Sequence, residues 1–390
     1  MISVDQALDH LFALTDVMPV ETVPLRQAAG RVLAETVSAT RTQPPFNASS
    51  MDGYAVRRAE VEPDAMFRVV GEAAAGHSFA GRVGPGQAVR IFTGAPLPAP
   101  LDFVVIQEDV TRRDNLITLS RNMDGKDNVR PAGIDFHAGD TMSAPHRLNA
   151  ADVALLASMN IADIPVFKKP EVAILATGDE LVMPGETPGP DQIIASNAFG
   201  LAAQLDAGGA HTRLLPIARD TKASLRSAFA LAAGADLIVT IGGASVGDHD
   251  LVGEVAADMG MERSFYKVRM RPGKPLMAGR LGQSAMVGLP GNPVSAMVCG
   301  TIFVLPMIQA MLGLGKKPAA RLQAPLAADV PANGPREHYM RARVTPNGLK
   351  VAQLQDSSLL SVLANADALV VMAPDAPAQP KGTLLGYIPL

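Results

Sequence analysis

The stretch at residues 236–250, DLIVTIGGASVGDHD, decides the fold class of this chain. Its apolar run at residues 237–241 is typical of a strand that is buried on both faces, as strands are in a parallel sheet. The run stops at Gly242 and Gly243, and a helical pattern, DLVGEVAADMG, begins soon afterwards. A buried strand, a glycine turn and a helix together form the repeating unit of a doubly wound α/β sheet.

The turn between this strand and this helix has the composition of an oxyanion-binding loop. Gly242, Gly243 and Gly247 allow several backbone N–H groups to point at one ligand, and Ser245 adds a hydroxyl. Asp250 adds a carboxylate, which would repel a phosphate unless a cation lay between them. The turn therefore indicates a phosphate site with bound Mg²⁺. A glycine-rich turn with solvated aspartates and no ligand could have the same sequence.

The rest of the chain repeats this pattern and then departs from it. From residue 170 onward, the strand-like runs EVAILATG, HTRLLPIARD and SAMVGLPG alternate with helix-like runs. Residues 51–135 consist of short alternating runs between glycine and proline turns, and strand-like runs return after residue 317. The sequence therefore predicts a multidomain α/β plus β protein. It has a doubly wound parallel-sheet domain, a β domain inserted in the N-terminal half and a small C-terminal β barrel.

The composition excludes several classes of protein. The formal net charge is −4 and no basic run occurs, so we expect no nucleic-acid partner. A single cysteine, Cys299, leaves neither an internal disulfide nor a cysteine-based metal site. The uncharged stretch at residues 296–315 has the length of a membrane span, but Pro306 and Gln309 interrupt it, and a buried helix is favoured. The N-terminus lacks the pattern of a signal peptide, so we expect a cytoplasmic protein without a membrane partner.

Ligands of doubly wound sheets bind at the carboxyl ends of the strands, where this chain carries further polar residues. In the turn GLPGNPVS, Asn292 suits the N-cap of the next helix and Pro293 suits its first turn. This helix N-terminus predicts a second anion site, although capping alone explains both residues. Glu180 and Asp220 end the first and second strands of the predicted sheet. With Asp250 they could supply oxygen ligands to one or two hard cations.

The segment KVRMRPGKP brings several cations together. If Lys267, Arg269 and Arg271 lie in one strand, their side chains share a face, and Lys274 follows close behind. Cations beside two anion-binding turns suggest a ligand with more than one phosphate or oxyanion. The alternative is the solvated face of an edge strand.

Seven motifs together follow the order found in one known family. They are PPFNASSMDGYA, RIFTGAPLP, NVRPAGID, ATGDEL, GGASVGDHD, RPGKP and GLPGNPVSA, between residues 44 and 296. In this combination the chain resembles the molybdopterin molybdenumtransferases, which insert molybdenum in molybdenum-cofactor synthesis and have the E domain of gephyrin as a relative. The length and the domain pattern agree over the whole chain.

The resemblance implies an elongated homodimer that converts adenylylated molybdopterin and molybdate to molybdenum cofactor and AMP in an Mg²⁺-dependent step. It also implies four domains. Residues 1–46 and 136–168 form an elongated N-terminal domain, whose first helix can pack on the α/β domain, and residues 47–135 form the inserted β domain. Residues 169–316 form the α/β molybdopterin-binding domain, and residues 317–390 form the C-terminal β barrel.

The resemblance also implies roles for individual residues. The implied catalytic residues are Asp52, Thr93, Glu180, Asp220, Asp250, Lys267 and Arg271, of which Glu180, Asp220 and Asp250 serve Mg²⁺. The implied substrate-binding residues are Gly242, Gly243, Ser245, Gly247, Lys274, Pro275, Pro290, Asn292, Pro293, Ser295, Arg336 and Ser357. Asp52 and Thr93 would reach across the dimer. The family usually has Lys at the position of Arg271, and Arg keeps the charge while adding a planar fork.

Two other functions stay open at this point. A molybdopterin adenylyltransferase, acting one step earlier, resembles the α/β domain alone, and the extra β domains argue against it. A non-catalytic gephyrin-like scaffold would not need the acids and cations present here. The expected partners are adenylylated molybdopterin, molybdate and a second copy of the chain. The adenylyltransferase and molybdoenzyme maturation factors are further candidates.

Overall fold

The computed structural model describes residues 1–243 and 251–390. The chain forms two compact units, and each draws on separate parts of the sequence. The first unit contains Met1–Glu21, Gly30–Ala34 and Val166–Leu390, and the second contains Thr22–Ala29 and Glu35–Pro165. The finer division into four domains stays a prediction.

A six-stranded sheet forms the centre of the first unit. Its strands lie in the order His211–Leu214, Glu171–Ala176, Leu237–Ile241, Ser284–Leu289, Met277–Leu281 and Glu262–Tyr266. The first four strands are parallel, as predicted, but the last two are antiparallel to their neighbours. The prediction of a parallel sheet is therefore wrong at this edge. The cause is a tight turn after Leu281, where Gly282 has a φ of +60° and returns the chain as a hairpin.

Alternating side chains of this sheet enter two hydrophobic cores, one on each face. In the strand Glu171–Ala176, Val172 and Ile174 lie in one core, whereas Ala173 and Leu175 lie in the other. Helices cover both faces, as period-two burial in a doubly wound sheet requires. The helices of this unit are Val4–Ala13, Asn197–Ala207, Lys222–Leu231, Leu251–Asp258, Pro293–Cys299, Leu305–Met311 and Leu360–Ala364.

The N-terminal helix is part of the α/β core. Ser3 caps it, and its side chain accepts a hydrogen bond from the backbone N–H of Gln6. Its apolar face, which includes Leu8 and Leu11, is buried in the same core as Val172 and Val239. The capping box thus begins a helix whose stability comes from packing against the sheet.

The long uncharged stretch forms a helix through the core of this unit. Residues Pro293–Met311 are long and apolar enough to cross a membrane, but 83% of their most apolar window is buried inside the protein. A π-helical turn at Gly300–Val304 interrupts the helix just before Pro306. Pro306 has no backbone N–H, so it cannot make the usual helical hydrogen bond to the preceding turn. Such burial is expected of a core helix.

A second sheet completes the first unit. Its strands lie in the order Met270–Arg271, Glu337–Thr345, Ala368–Met372, Leu384–Pro389 and Leu322–Pro325, and Gly348–Val351 pairs with Glu337–Thr345. A two-stranded pair of Leu181–Val182 and Ile193–Ile194 lies beside the larger sheet. The parallel pairing of Met270–Arg271 with Glu337–Thr345 joins the cationic segment to the C-terminal strands.

The second unit is built on a mixed six-stranded sheet. Its strands lie in the order Phe103–Ile106, Gly53–Val56, Gln87–Ile91, Met66–Ala73, Leu116–Leu119 and Val110–Arg113. Tyr54 and Val56 enter one core and Ala55 enters another, so both faces of the sheet are buried. Two short pairs join Val37–Ser38 to Thr141–Met142 and Ala48–Ser49 to Val129–Arg130. The helix Ala150–Ser158 follows, capped by Asn149.

Shorter elements complete the chain. The remaining strands are Val20–Pro24, Val32–Leu33, His146–Arg147 and Asp163–Phe167, and the 3-10 turns are Leu25–Gln27, Arg58–Glu60 and Gln107–Asp109.

Candidate active site

A cavity of about 690 Å³ opens at the carboxyl ends of the parallel strands of the first unit. This is the edge at which ligands of open α/β sheets bind. Of the sequence-predicted site residues, the cavity brings together Glu180, Asp220, Gly242, Gly243, Pro275, Pro290, Asn292 and Pro293. The sequence did not single out Thr177, Ile193, Ile194, Asn197 and Ser358, which also line it.

Carboxylates crowd one side of this cavity. The prediction that Asp220 ends a strand is wrong. The strand His211–Leu214 stops six residues earlier, and the loop that follows it places Asp220 at the cavity. The loop is held where the backbone N–H of Gly178 donates to the carbonyl of Ala218 across 3.1 Å. Partial burial raises the pKa of Asp220, and the negative charges of Asp179 and Glu180 raise it further. A cation would relieve this crowding.

The glycine turn at Gly242 packs closely against the backbone of Thr177, and its approach to an anionic ligand stays a prediction. Gly242 and Gly243 have φ values of +94° and +66°. A β-carbon on Gly242 would lie 2.7 Å from the carbonyl oxygen of Thr177, so only glycine fits there. The buried hydroxyl of Thr177 has no hydrogen-bond partner within residues 1–243 and 251–390. The predicted site residues Ser245, Gly247 and Asp250 lie outside the described residues.

The helix that begins at Pro293 points its N-terminus at the cavity. Asn292 is its N-cap by backbone position, as predicted, but the Asn292 side chain makes no capping hydrogen bond among the described residues. The side-chain amide of Asn197 donates instead to the carbonyl of Gly291 across 2.7 Å and holds this turn. The side-chain amide of Asn292 therefore remains available to an anion, whereas Pro293 has no N–H and the N–H of Val294 donates to the carbonyl of Ser357 across 3.0 Å.

The cationic segment is not one strand, so the prediction that Lys267, Arg269 and Arg271 share a face is wrong. The strand Glu262–Tyr266 ends before Lys267, whose φ of +70° turns the chain, and a new strand begins at Met270. The ammonium of Lys267 instead lies 4.7 Å from the centre of the Tyr266 ring. The carbonyl of Lys274 accepts hydrogen bonds from the N–H groups of Val268 and Leu276 and closes the loop.

Arg271 lies in a cluster of cationic side chains that the C-terminal strands complete. It is paired in register with His338. Burial, together with the charges of Arg271, Arg341 and Arg336, lowers the pKa of His338 to about 4. His338 is therefore a neutral imidazole among three guanidinium groups at neutral pH, and such a cluster favours an anion. The sequence indicated Arg271 and Arg336 but missed His338 and Arg341.

The loop 353–358 connects this cluster with the cavity. The carbonyl of Ser357 accepts a hydrogen bond from the backbone N–H of Val294 across 3.0 Å, and Ser358 lines the cavity. Ser295 is buried in the first turn of the helix that begins at Pro293, with 3% of its surface exposed. The structure thus brings the segment that contains Ser357 to the same helix N-terminus as Asn292.

Asp52 and Thr93, the site residues predicted in the other unit, form a local pair. One carboxylate oxygen of Asp52 accepts hydrogen bonds from the backbone N–H of Thr93 at 2.8 Å and from its hydroxyl at 2.9 Å. These two bonds lower the pKa of Asp52, and the charge of Arg90 lowers it slightly further. The pair therefore presents an ionised, fixed carboxylate at neutral pH.

The described donors suit Mg²⁺. No group of three or more metal-ligating side chains occurs within residues 1–243 and 251–390. Glu180 and Asp220 nevertheless line one cavity beside an anion-binding turn. Mg²⁺ is commonly held by one or two carboxylates together with waters and substrate phosphates, so this oxygen-only pair fits the ion.

Comparisons with known proteins bear on the whole chain. Three family models match in order: the MoeA N-terminal region (domain I and II) at residues 2–160, a probable molybdopterin binding domain at residues 173–310, and the MoeA C-terminal region (domain IV) at residues 323–390. A molybdopterin molybdenumtransferase from Nostoc sp. is 38% identical over 76% of this chain and 70% of its own length. One from Bacillus subtilis is 32% identical over 95% of this chain and 90% of its own.

This chain belongs to the molybdopterin molybdenumtransferase family. The resemblance inferred from the seven motifs is thereby confirmed, and so are the predictions of an enzyme of this family and of a multidomain α/β protein. A solved structure of a molybdopterin biosynthesis MoeA protein from Pyrococcus horikosii agrees with this molybdopterin molybdenumtransferase fold. It has a TM-score of 0.81 at 28% identity and covers 100% of this chain and 99% of its own.

Proposed function

We propose that this protein inserts molybdenum, supplied as molybdate, into adenylylated molybdopterin and releases AMP and molybdenum cofactor. The observation that carries the proposal is the composition of one cavity. Glu180 and Asp220 line it together with the glycine turn at Gly242 and the helix N-terminus at Asn292. Acids for a cation and backbone donors for phosphate are what cleavage of a pyrophosphate bond requires.

The chain's own groups bind and orient the nucleotide in this proposal. The backbone N–H of Gly243, together with the buried hydroxyl of Thr177, donates to phosphate oxygens, whereas the N–H of Gly242 donates to the carbonyl of Leu289. The start of the helix at Pro293 adds the side-chain amide of Asn292, which makes no capping hydrogen bond among the described residues. The exposed apolar side chains Ile193 and Ile194 form another wall of the cavity and can pack against a flat ring.

Glu180 and Asp220, together with Asp250, are the proposed ligands of Mg²⁺. When bound, Mg²⁺ would polarise the phosphoryl oxygens and neutralise charge that develops on them. The raised pKa of Asp220 supports this assignment, because neighbouring carboxylates without a cation repel one another.

Molybdate is the proposed ligand of the cationic cluster. Arg271 and Arg336 belong to this cluster, and we assign Lys267 and Lys274, from the same segment as Arg271, to the same anion. Ser357 and Ser295 lie at the helix N-terminus next to the cavity and can donate hydroxyl hydrogen bonds. A tetrahedral dianion is small and makes few contacts with a protein. Each charge-assisted hydrogen bond therefore supplies a large share of its binding free energy.

We further propose a homodimer in which Asp52 and Thr93 serve the site of the other subunit. The fixed, ionised carboxylate of Asp52 supports a role in the reaction, because the structure holds it in one orientation through two hydrogen bonds. We also propose that residues 47–135 form an inserted β domain and that residues 317–390 form a C-terminal β barrel. The proposed location of the protein is the cytoplasm. The adenylyltransferase and molybdoenzyme maturation factors are the proposed protein partners.

The test is to incubate the purified protein with adenylylated molybdopterin, Mg²⁺ and molybdate, and to follow AMP and molybdenum cofactor. AMP release that requires both Mg²⁺ and Asp250, as judged by an Asp250→Asn variant that remains folded, supports the proposal. AMP release by that variant at the wild-type rate contradicts the metal assignment. Consumption of ATP with free molybdopterin would identify an adenylyltransferase, and neither activity would favour a scaffold. A stable, active monomer in sedimentation would contradict the dimer.

A further inference from the structure

Arg90 is a partly buried cation near Asp52, and the proposed reaction gives it no role of its own. It lies in the strand Gln87–Ile91, directly opposite Tyr54 on the neighbouring strand. Its guanidinium carbon lies 4.9 Å from the centre of the Tyr54 ring and 4.9 Å from the centre of the Phe92 ring. Cation–π attraction to two rings holds the guanidinium group in one place.

The guanidinium fork of Arg90 also fixes the backbone around Asp52. One terminal nitrogen donates to the carbonyl of Gly53 at 3.1 Å, and the other donates to the side-chain oxygen of Gln107 at 2.7 Å. The backbone N–H of Gln107 in turn donates to the carbonyl of Asp52 at 3.0 Å. Arg90 thus holds this segment directly at Gly53 and, through Gln107, at Asp52 itself.

The contact with Phe92 holds the other half of the Asp52–Thr93 pair. Phe92 directly precedes Thr93, whose N–H and hydroxyl both donate to one carboxylate oxygen of Asp52. The two segments that carry this pair are forty-one positions apart in the chain, and Arg90 contacts both of them. A guanidinium bound to both segments limits how far the Asp52 carboxylate and Thr93 can move apart.

We propose that Arg90 is a positioning residue that sets the Asp52 carboxylate for the reaction. Its planar fork binds Gly53 and Gln107, while its charge lies against the two aromatic rings. Lysine could supply the charge but not two donors in a fixed plane. The inference rests on the proposed function, because that function assigns Asp52 to the reaction. It adds that the position of Asp52 depends on a residue that does not itself have to touch the substrate.

The first test replaces Arg90 in the full-length protein and measures AMP release from adenylylated molybdopterin with Mg²⁺ and molybdate. Arg90→Met keeps an apolar stem and removes the fork, and Arg90→Lys keeps the charge. We expect Arg90→Met to lower kcat about tenfold or more, because small displacements of a catalytic group are costly. Both KM values should stay within about twofold, since Asp52 is assigned to the reaction and not to binding. Arg90→Lys should not restore the wild-type kcat.

Arg112→Met is the matched control. Arg112 lies in the edge strand Val110–Arg113 of the same sheet, its side chain is exposed, and its Nε donates to the carbonyl of Asp114 at 2.8 Å. This variant should keep the wild-type kcat and KM values. An equal loss of kcat in Arg112→Met and Arg90→Met would overturn the inference, because it would show a general response of the sheet.

A double-mutant cycle separates positioning from a merely structural role. Asp52→Ala already lacks the carboxylate, so adding Arg90→Met should change its residual kcat by no more than about twofold. A structural role would instead lower kcat by the same factor with and without the carboxylate. That result, an unchanged kcat in Arg90→Met, or full rescue by Arg90→Lys would each overturn the inference. An Asp52→Ala protein with wild-type kcat would overturn the proposed role of Asp52 as well.

The titration of the Asp52 carboxyl group, followed by NMR, is a readout that needs no activity. The hydrogen bonds from Thr93 lower the pKa of Asp52, and the charge of Arg90 lowers it further. Arg90→Met should therefore bring this pKa back toward the ordinary value of 3.8, whereas Arg112→Met should leave it unchanged. A wild-type protein that forms no AMP overturns the proposed function, and an unshifted pKa in Arg90→Met overturns the positioning role in either case.

Gln107→Leu tests the same contacts if Arg90→Met does not fold. It removes the side-chain acceptor of Arg90 and leaves in place the backbone N–H that binds the carbonyl of Asp52. The variant should lower kcat about threefold, as for the loss of one net hydrogen bond, and this loss should disappear in the Asp52→Ala background. A folded Gln107→Leu protein with wild-type kcat would contradict the proposal.

Discussion

The backbone N–H of Asp220 donates a hydrogen bond to a carboxylate oxygen of Asp179 across 3.2 Å. Asp220 lies in the loop after the strand His211–Leu214, and Asp179 lies just after the neighbouring strand Glu171–Ala176. The bond therefore holds the backbone of Asp220 next to the carboxylate of Asp179. The arrangement keeps the negative charges of Asp179, Asp220 and Glu180 close together. Without a cation, this closeness costs free energy, and the cost should be measurable.

Asp220→Asn should therefore have opposite effects on stability and activity. The pKa of Asp220 is raised in the folded state, so its ionised form destabilises the fold at pH values above that pKa and has no effect below the ordinary value of 3.8. At pH 7 without Mg²⁺, the variant should be slightly more stable than the wild type in thermal unfolding. Addition of Mg²⁺ should stabilise the wild type more than the variant, because a ligand stabilises only the state that binds it. AMP release should fall about a hundredfold or more.

Asp9→Asn is the control for that experiment, because Asp9 is exposed on the N-terminal helix, away from the cavity. It should alter neither the Mg²⁺ response nor the activity. Equal stabilisation of wild type and Asp220→Asn by Mg²⁺ would show that Asp220 is not a ligand.

Gly242→Ala should destabilise the protein more than Gly234→Ala. Both glycines have positive φ, at +94° and +80°, so alanine costs about 1–2 kcal/mol at either position. Only at Gly242 does the added β-carbon meet a backbone atom, the Thr177 carbonyl oxygen at 2.7 Å, and Gly234 has open space. Overpacking should add roughly 1–3 kcal/mol at Gly242. Urea unfolding of the two variants measures the difference, and equal midpoints would mean that the turn relaxes without cost.

Lys267→Gly should be more stable than Lys267→Ala, although both should lose activity. The φ of Lys267 is +70°, a conformation that costs a side-chain-bearing residue about 1–2 kcal/mol and glycine almost nothing. Both variants lack the ammonium that the proposal assigns to the substrate, so molybdate-dependent AMP release should fall in both. The measurement pairs urea midpoints with AMP assays. A Gly variant no more stable than the Ala variant would mean that the Lys267 backbone is not strained in solution.

The sequence could predict those parts of the site that depend on neighbouring residues in the chain. Gly242 and Gly243 were found because a buried strand ends at them, and Asn292 and Pro293 were found because helix starts favour those residue types. These local patterns also indicate which edge of the sheet binds the ligand, since the carboxyl ends of parallel strands meet there.

The parts that were missed depend on contacts between distant segments. The reversal of one strand of the sheet, Met277–Leu281, is accompanied by a tight turn at Gly282, and the pattern of apolar residues in the sequence does not reveal this turn. The segment KVRMRPGKP has the alternating pattern of a strand, but the left-handed backbone at Lys267 prevents one continuous strand from forming there. Arg341 is visible as a site residue only once its strand is paired and Gln355, which follows it by fourteen positions, folds back onto it. No local propensity encodes such a contact.

His338 makes the stability of the protein depend on pH between its two pKa values. In the folded state the pKa is about 4, because burial and the charges of Arg271, Arg341 and Arg336 disfavour the imidazolium, whereas the ordinary value is 6.5. The unfolded state therefore binds a proton first as the pH falls. Stability that is fully present above pH 6.5 is lost progressively toward pH 4. His338→Gln removes this group, so the variant should lose about 1 kcal/mol less than the wild type between pH 7 and pH 5, after discounting for the partial exposure of the ring.

The measurement is urea unfolding of both proteins at pH 7 and pH 5. His10→Gln serves as the control, because His10 lies on the surface of the N-terminal helix and its imidazole hydrogen-bonds to the hydroxyl of Ser264 at 2.9 Å. Only the His338 variant should flatten the pH dependence. Molybdate at saturating concentration should flatten it partly in the wild type as well, because a bound dianion offsets the guanidinium charges that add to the effect of burial on His338. If wild type and His338→Gln lose the same free energy between the two pH values, the pKa of His338 is not lowered in the folded protein, and the imidazole is not buried among the guanidinium groups in solution as the structure has it.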